Sequence, residues 1–261
     1  MDLTDPTDVA VAAASHLPGL LVATDFDGTL APIVADPEAS RPIDGAIAAL
    51  SAPAGRGAHV GVITGRDALT AIRLGDLAEI PRVVVEGLYG AERWRAGTLV
   101  TPDTPDAIAD LRLALPELLA AANAAHGVWI EDKRLSLVIH TRRLPDPISE
   151  QQRLLAPAKA LAERLGIDLH EGRGVLEFRL PGYDKGTALR RLISEANPSA
   201  VLFAGDDLGD VSAFDAVRAA AIPGWSVLVA SAETEHLRDC ADLSVDSPDG
   251  FVALLRSIAE S

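Results

Sequence analysis

The chain has 261 residues, 48% of them hydrophobic, which is enough to bury a large core in one or two domains and excludes a disordered polymer. Acidic residues outnumber basic ones by 38 to 23, a net charge of −15 without any Lys/Arg cluster, so no nucleic-acid partner is expected; a small phosphorylated ligand neutralised by local cations remains open. The single cysteine, Cys240, excludes an internal disulfide and points to a reducing cytoplasm, and no apolar run reaches the roughly 18 residues of a membrane span.

No Lys or Arg precedes Arg41, so a secretory leader with a basic start is not expected either. Asp8 to His16 reads as a short Ala-rich helix leading through Pro18-Gly19 into Leu20-Leu21-Val22-Ala23-Thr24. An apolar run without polar alternation is the habit of a strand buried on both faces of a parallel sheet, and this one stops abruptly at Asp25-Phe26-Asp27-Gly28-Thr29-Leu30. Ligands collect at the carboxyl ends of such strands. Extended geometry aims Asp25 and Asp27 the same way, and Gly28 lets the backbone turn. Two anions so close repel, and a Mg²⁺ ion taking oxygen ligands would make the pair tolerable and leave one of them able to attack phosphorus.

Ala31 to Ala39 is a Pro-punctuated loop expected to roof this site, and Ile43 to Ser51 a helix crossing back. His59 to Ile63 is a second buried strand ending in Thr64-Gly65-Arg66, where a hydroxyl can meet a phosphoryl oxygen and a new helix begins at Asp67. Arg82 to Val85 forms a third strand, followed by Glu86-Gly87-Leu88-Tyr89-Gly90; the alternation implies parallel crossovers.

From about Thr101 the pattern changes. A helix over 106–126 containing Pro116, strands at 128–131 and 135–140, a helix over 148–165 and strands at 167–170 and 175–180 carry interleaved polar residues. This predicts an α+β cap, residues 104–180, inserted into an α/β core formed by 1–103 and 181–261. Pro181 to Thr187 returns to the core, placing Lys185 at the start of a helix over 188–195. Another buried strand, 200–204, ends in Gly205-Asp206-Asp207-Leu208-Gly209-Asp210, a run too short for an EF-hand calcium loop and lacking its terminal Glu. Strands at 226–229 and 243–245 and a helix over 251–259 complete the chain.

Asp-Phe-Asp-Gly-Thr-Leu, Thr64, Lys185 and the Asp206 cluster resemble, in order, the four motifs of the haloacid-dehalogenase (HAD) superfamily, whose core is a Rossmann-like parallel sheet. The resemblance implies Asp25 as nucleophile and Asp27 as general acid and base. It further implies Thr64 and Lys185 against the phosphoryl oxygens. Mg²⁺ would be held by Asp25, Asp206 and Asp27, the last through its backbone carbonyl, with Asp207 and Asp210 in support.

More narrowly, Val62 to Arg66, Glu86 to Gly90, Glu131 to Arg142, Gly172 to Arg179 and Lys185-Gly186 resemble the trehalose-6-phosphate phosphatase family. The sequence departs from that family at Gly209, where it usually has Thr. The resemblance implies a sugar phosphate as substrate, a cap closing to exclude water, and a trehalose-phosphate synthase as a possible partner. Expected substrate contacts are Asp25, Phe26, Asp27 and Arg66 in the core and Glu131, Lys133, His140, Arg142 and Glu177 in the cap. The cap residues lie on or beside strands, where alternate positions present polar groups to one face, as a polyhydroxyl ligand or plain strand-edge charge requires. Trp94 and Trp129 either stack on a sugar ring or pack. Sucrose phosphate, mannosylphosphoglycerate or a hexose phosphate are alternative substrates, and a non-catalytic sugar-phosphate sensor is the alternative from another class.

Overall fold

The computed structural model describes residues 5–34, 36–231 and 234–261, so the first four residues and Ala35 of the expected roof loop lie outside it. The chain forms two compact units, Met1–Thr101 with Asp184–Ser261, and Pro102–Tyr183. The first unit opens with α1 (Pro6–Ala14), β1 (Leu20–Thr24), α2 (Ala46–Gly55), β2 (His59–Ile63), α3 (Ala68–Gly75) and β3 (Val84–Gly87). Next comes a hairpin, β4 (Glu92–Arg95) and β5 (Thr98–Val100), which the sequence reading does not anticipate. The second unit contains α4 (Asp106–Ala121), β6 (Trp129–Asp132), β7 (Ser136–His140), α5 (Pro147–Leu165), β8 (Asp168–Gly172) and β9 (Val175–Arg179). The first unit then resumes with α6 (Lys185–Ala196), β10 (Ala200–Gly205), α7 (Val211–Arg218), β11 (Gly224–Val229), β12 (Leu243–Val245) and α8 (Pro248–Glu260).

The first unit is built on an eight-stranded sheet in the order β12-β11-β10-β1-β2-β3-β4-β5. It is parallel from β12 to β3, and the β4–β5 hairpin extends it antiparallel. Every residue of β1 and β10 is buried, because apolar side chains on both faces meet helices. Leu20, Val22 and Leu202 pack in one apolar layer with α1, α2, α3 and α8, while Leu21, Ala23 and Phe203 join the opposite layer with α6 and α7. Pairing of Thr24 with Ala204 and Val62 aligns the carboxyl ends of β10, β1 and β2, so the residues after them leave the sheet together.

The second unit is an antiparallel sheet, β6-β7-β9-β8, with two helices on one face. Ile139, Leu137, Leu176 and Phe178 point to the α4 and α5 side with Ile108, Leu111, Leu154 and Leu161. The alternation that buries these residues leaves the other face polar. No described helix is long and apolar enough to cross a membrane.

Candidate active site

The chain turns where β1 ends. Gly28 takes φ +80°, and the turn closes through Gly28 N–H to Ala31 O at 2.7 Å. A Cβ at Gly28 would lie 2.0 Å from Asp206 Oδ2, so the absent side chain is the space the Asp206 carboxylate fills. At the end of β10 the same device recurs: a Cβ at Gly205 would lie 2.2 Å from Asp210 Cγ. In consequence carboxylate oxygens of Asp25, Asp206 and Asp210, all buried, lie within 4.8 Å of one another.

Lys185, the first residue of α6, answers this charge. Asp184 caps the helix, accepting from Thr187 N at 2.7 Å, and the buried ammonium sits 2.9 Å from Asp25 Oδ2 and 2.7 Å from Asp210 Oδ1. Asp207 Oδ1 is further off, at 3.8 Å. The other Asp210 oxygen accepts the N–H groups of Asp206 and Asp207 at 3.0 and 3.1 Å, holding the ligand-bearing loop from behind. Thr29, which the sequence reading passes over, donates its buried hydroxyl to Asp206 Oδ1 at 3.4 Å.

The Asp27 carboxylate is not part of this cluster. It takes Arg66 Nε and Nη2, each at 2.6 Å, and the Ser40 hydroxyl at 2.9 Å. The buried carboxylate group thus contains Asp210 and not the Asp27 side chain. Arg66 is engaged by protein, including Pro37 O at 2.9 Å. Phe26 is wholly buried, so its ring serves the core. Thr64 is buried just after β2, its hydroxyl accepting Arg66 N–H at 3.2 Å, while three backbone bonds stitch 64–66 to β3 and the stretch after it: Thr64 N to Glu86 O, Tyr89 N to Thr64 O and Leu88 N to Arg66 O. The fully buried Glu86 side chain is paired with Arg191 and Arg93.

Burial pushes Asp25 up to about 8, against the pull of Lys185, and burial with Asp210 and Asp207 nearby does the same to Asp206. Burial lowers the Lys185 ammonium, but Asp210, Asp25 and Asp207 outweigh it and leave it well above its usual value. Carboxylates that hold protons at neutral pH mark a site short of positive charge, and an all-oxygen donor set suits a hard cation, so these residues fit a divalent metal. Without metal, an unfolded Asp loses its proton near 3.8 while the folded Asp25 and Asp206 keep theirs to about 8. The folded chain therefore binds more protons between those limits, and stability falls as pH rises through them. With chelator, the melting temperature is expected to drop by more than about 5 °C from pH 5 to pH 8, and excess Mg²⁺ to remove most of that slope. Parallel melting curves at both pH values with chelator alone would contradict this assignment.

In the second unit, the strand register aligns Glu131, Val138, Glu177 and His170 across the polar sheet face. His140 Nε2 meets Glu131 Oε2 at 2.9 Å, and Lys133 Nζ meets Glu177 Oε1 at 3.2 Å, so four of the five expected sugar contacts gather in two pairs. Arg142 does not join them; it donates from Nε to Arg173 O at 2.9 Å and holds the turn between β8 and β9. Trp129 stacks on His140 with ring centroids 3.9 Å apart, and the Arg143 guanidinium lies 5.2 Å from its ring. Trp94 packs against the core of the first unit. Ser136 and Arg179, missed by the sequence reading, flank Glu177 on the same face; period-2 counting from Glu177 would have reached Arg179.

A family model for trehalose-phosphatase matches residues 23–249. The chain is 34% identical over 255 residues to an uncharacterized glycosyl hydrolase of Mycobacterium tuberculosis, an alignment covering 90% of this chain and 18% of that protein. It is 33% identical over 267 residues to a trehalose-phosphate phosphatase of Mycolicibacterium paratuberculosis, covering 94% of this chain and 64% of the relative. The chain thus spans less than two thirds of either relative's length. The C-terminal domain of a C. albicans trehalose-6-phosphate phosphatase superposes over 98% of this chain and 97% of its own with a TM-score of 0.79 at 20% identity, a likeness of fold. A haloacid dehalogenase-like hydrolase from Bacteroides thetaiotaomicron superposes over 90% of this chain and 98% of its own with a TM-score of 0.63 at 15% identity, so the parallel-sheet core with an inserted α+β unit is the HAD-type fold. Because the family match runs from within the strand before Asp25 to beyond the Asp206 cluster, the chain belongs to the trehalose-phosphatase family.

Proposed function

We propose that the chain hydrolyses trehalose 6-phosphate to trehalose and phosphate. The observation that carries this reading is the buried group of Asp25, Asp206 and Asp210 around Lys185, placed by the ends of β1 and β10 and the start of α6. The Asp25 carboxylate attacks phosphorus, the bond from phosphorus to the sugar oxygen breaks, and Asp27 gives that oxygen a proton. Water, deprotonated by Asp27, then attacks the aspartyl-phosphate; phosphate leaves and Asp25 is restored. Lys185 and Thr64 offset charge on the phosphoryl oxygens. Mg²⁺ held by Asp25, Asp206 and the Asp27 carbonyl would neutralise further phosphoryl charge. The polar sheet face with Glu131, Lys133, His140 and Glu177 supplies the hydrogen-bonding groups a disaccharide needs. The proposal extends to the cytoplasm as location and to a trehalose-phosphate synthase as the partner that supplies substrate.

Phosphate release from trehalose 6-phosphate, sucrose phosphate, mannosylphosphoglycerate and glucose 6-phosphate, each with and without Mg²⁺, tests the reading. Trehalose 6-phosphate is expected to turn over at least about tenfold faster than the others and only with the metal, and Glu177→Ala to raise its KM about tenfold, the effect of removing a charged hydrogen-bond partner. Faster release from another ester would reassign the substrate. Tight binding of trehalose 6-phosphate without release would make the protein a sensor.

A further inference from the structure

The Ser40 hydroxyl, which donates to Asp27, has no part in the chemistry proposed for that carboxyl. Residues 36–39 are all exposed, as is Arg41, yet Ser40 between them is 1% exposed. The turn that delivers it is closely specified. Asp36 caps it by accepting Glu38 N–H at 3.1 Å, Pro37 fixes its first φ, and Ser40 N–H closes it onto Pro37 O at 3.4 Å. Two further ties pin it: Arg66 Nη1 to Pro37 O at 2.9 Å, and Arg73 to Glu38 at 2.7 Å. All this effort brings one side chain inward, and its hydroxyl donates to Asp27 Oδ1 at 2.9 Å.

Asp27 is therefore gripped on two sides, by the fork of Arg66 spanning both oxygens and by Ser40 on Oδ1. A two-point guanidinium contact fixes the plane of the carboxyl, and the third donor fixes which oxygen is turned toward the turn. We propose that Ser40 is a positioning residue, which with Arg66 holds the Asp27 carboxyl in the orientation needed for proton transfer to the leaving sugar oxygen. This rests on the role of Asp27 given under the proposed function. A hydroxyl both donates and accepts, which suits a carboxyl that gives and takes a proton within one turnover.

The test compares two substrates. Expulsion of a sugar alkoxide requires a proton, whereas p-nitrophenolate leaves readily without one, so misplacing the acid penalises the first more. In Ser40→Ala, kcat for trehalose 6-phosphate is expected to fall roughly tenfold more than kcat for p-nitrophenyl phosphate, with KM for the sugar ester within about twofold. Ser40→Thr, which keeps the hydroxyl, is expected to restore the ratio. If Ser40→Ala does not fold, Ser40→Cys, of similar size and a weak donor, is read in its place. Equal losses on both substrates, or no loss on either, overturn the inference. Asp27→Asn run alongside separates the two levels. If it too lacks the differential loss, the acid assignment itself has failed; if it shows the loss and the Ser40 variants do not, only the role of Ser40 has.

Discussion

Asp25→Asn is expected to lower phosphate release from trehalose 6-phosphate by at least about 10⁴-fold while leaving the melting temperature in chelator unchanged or raised by a few degrees. The substitution preserves shape. The Asp25 backbone N–H still donates to Ala204 O at 2.8 Å, and Lys185 keeps Asp210 as its partner at 2.7 Å. What disappears is the nucleophile, together with the negative charge that Asp25 carries beside Asp206 and Asp210 once the pH exceeds about 8. Removing an anion from a cluster that already holds too many relieves repulsion, so fold and activity separate in opposite directions. A residual rate above about one hundredth of the parent's, measured with enough enzyme to exclude contamination, would deny Asp25 the attacking role.

Lys185→Ala is expected to damage both. The ammonium is the cation nearest to Asp25 and Asp210, is 3% exposed, and lies at the start of a helix where it has no favourable dipole of its own. Its removal strands those carboxylates in a dry interior, a loss of about 3–5 kcal/mol for a buried pair broken from one side. Thermal melts at pH 7.5 in chelator should register this as a fall of roughly 10 °C. Turnover should fall about 10³-fold for want of the charge facing the phosphoryl oxygens. A stable, active Lys185→Ala would show that the cluster is neutralised by other means.

How far the sequence foreshadowed this arrangement depended on the range of the interaction. β1 and β10 were readable because an uninterrupted apolar run has few alternatives, and the acids after them announced themselves by position. The β4–β5 hairpin was not readable. Its strand Glu92-Arg93-Trp94-Arg95 carries one apolar residue, and its turn sets Ala96 at φ 48°, a conformation that local rules reserve for glycine or asparagine. On the polar sheet face, the family resemblance picked out Glu131, His140 and Glu177 and period-2 alternation is consistent with their sharing a face, but Arg142 lies past the end of β7, where the pleat no longer dictates direction. Asp27 was found as an acid and its surroundings were not. Arg66 and Ser40 reach it across 39 and 13 residues of chain, and no local pattern records that they meet.

The two glycines pressed against carboxylates have a further consequence for how such a chain diverges. Gly205 has no left-handed backbone to protect; a Cβ there would lie 2.2 Å from Asp210 Cγ and 2.5 Å from Asp210 Cβ. A descendant that abandoned the chemistry and carried glycine at 210 would be free to acquire alanine at 205, whereas Gly28, held by its φ of +80°, would persist as a relic. Position 205 is thus the more telling witness to whether a relative still works.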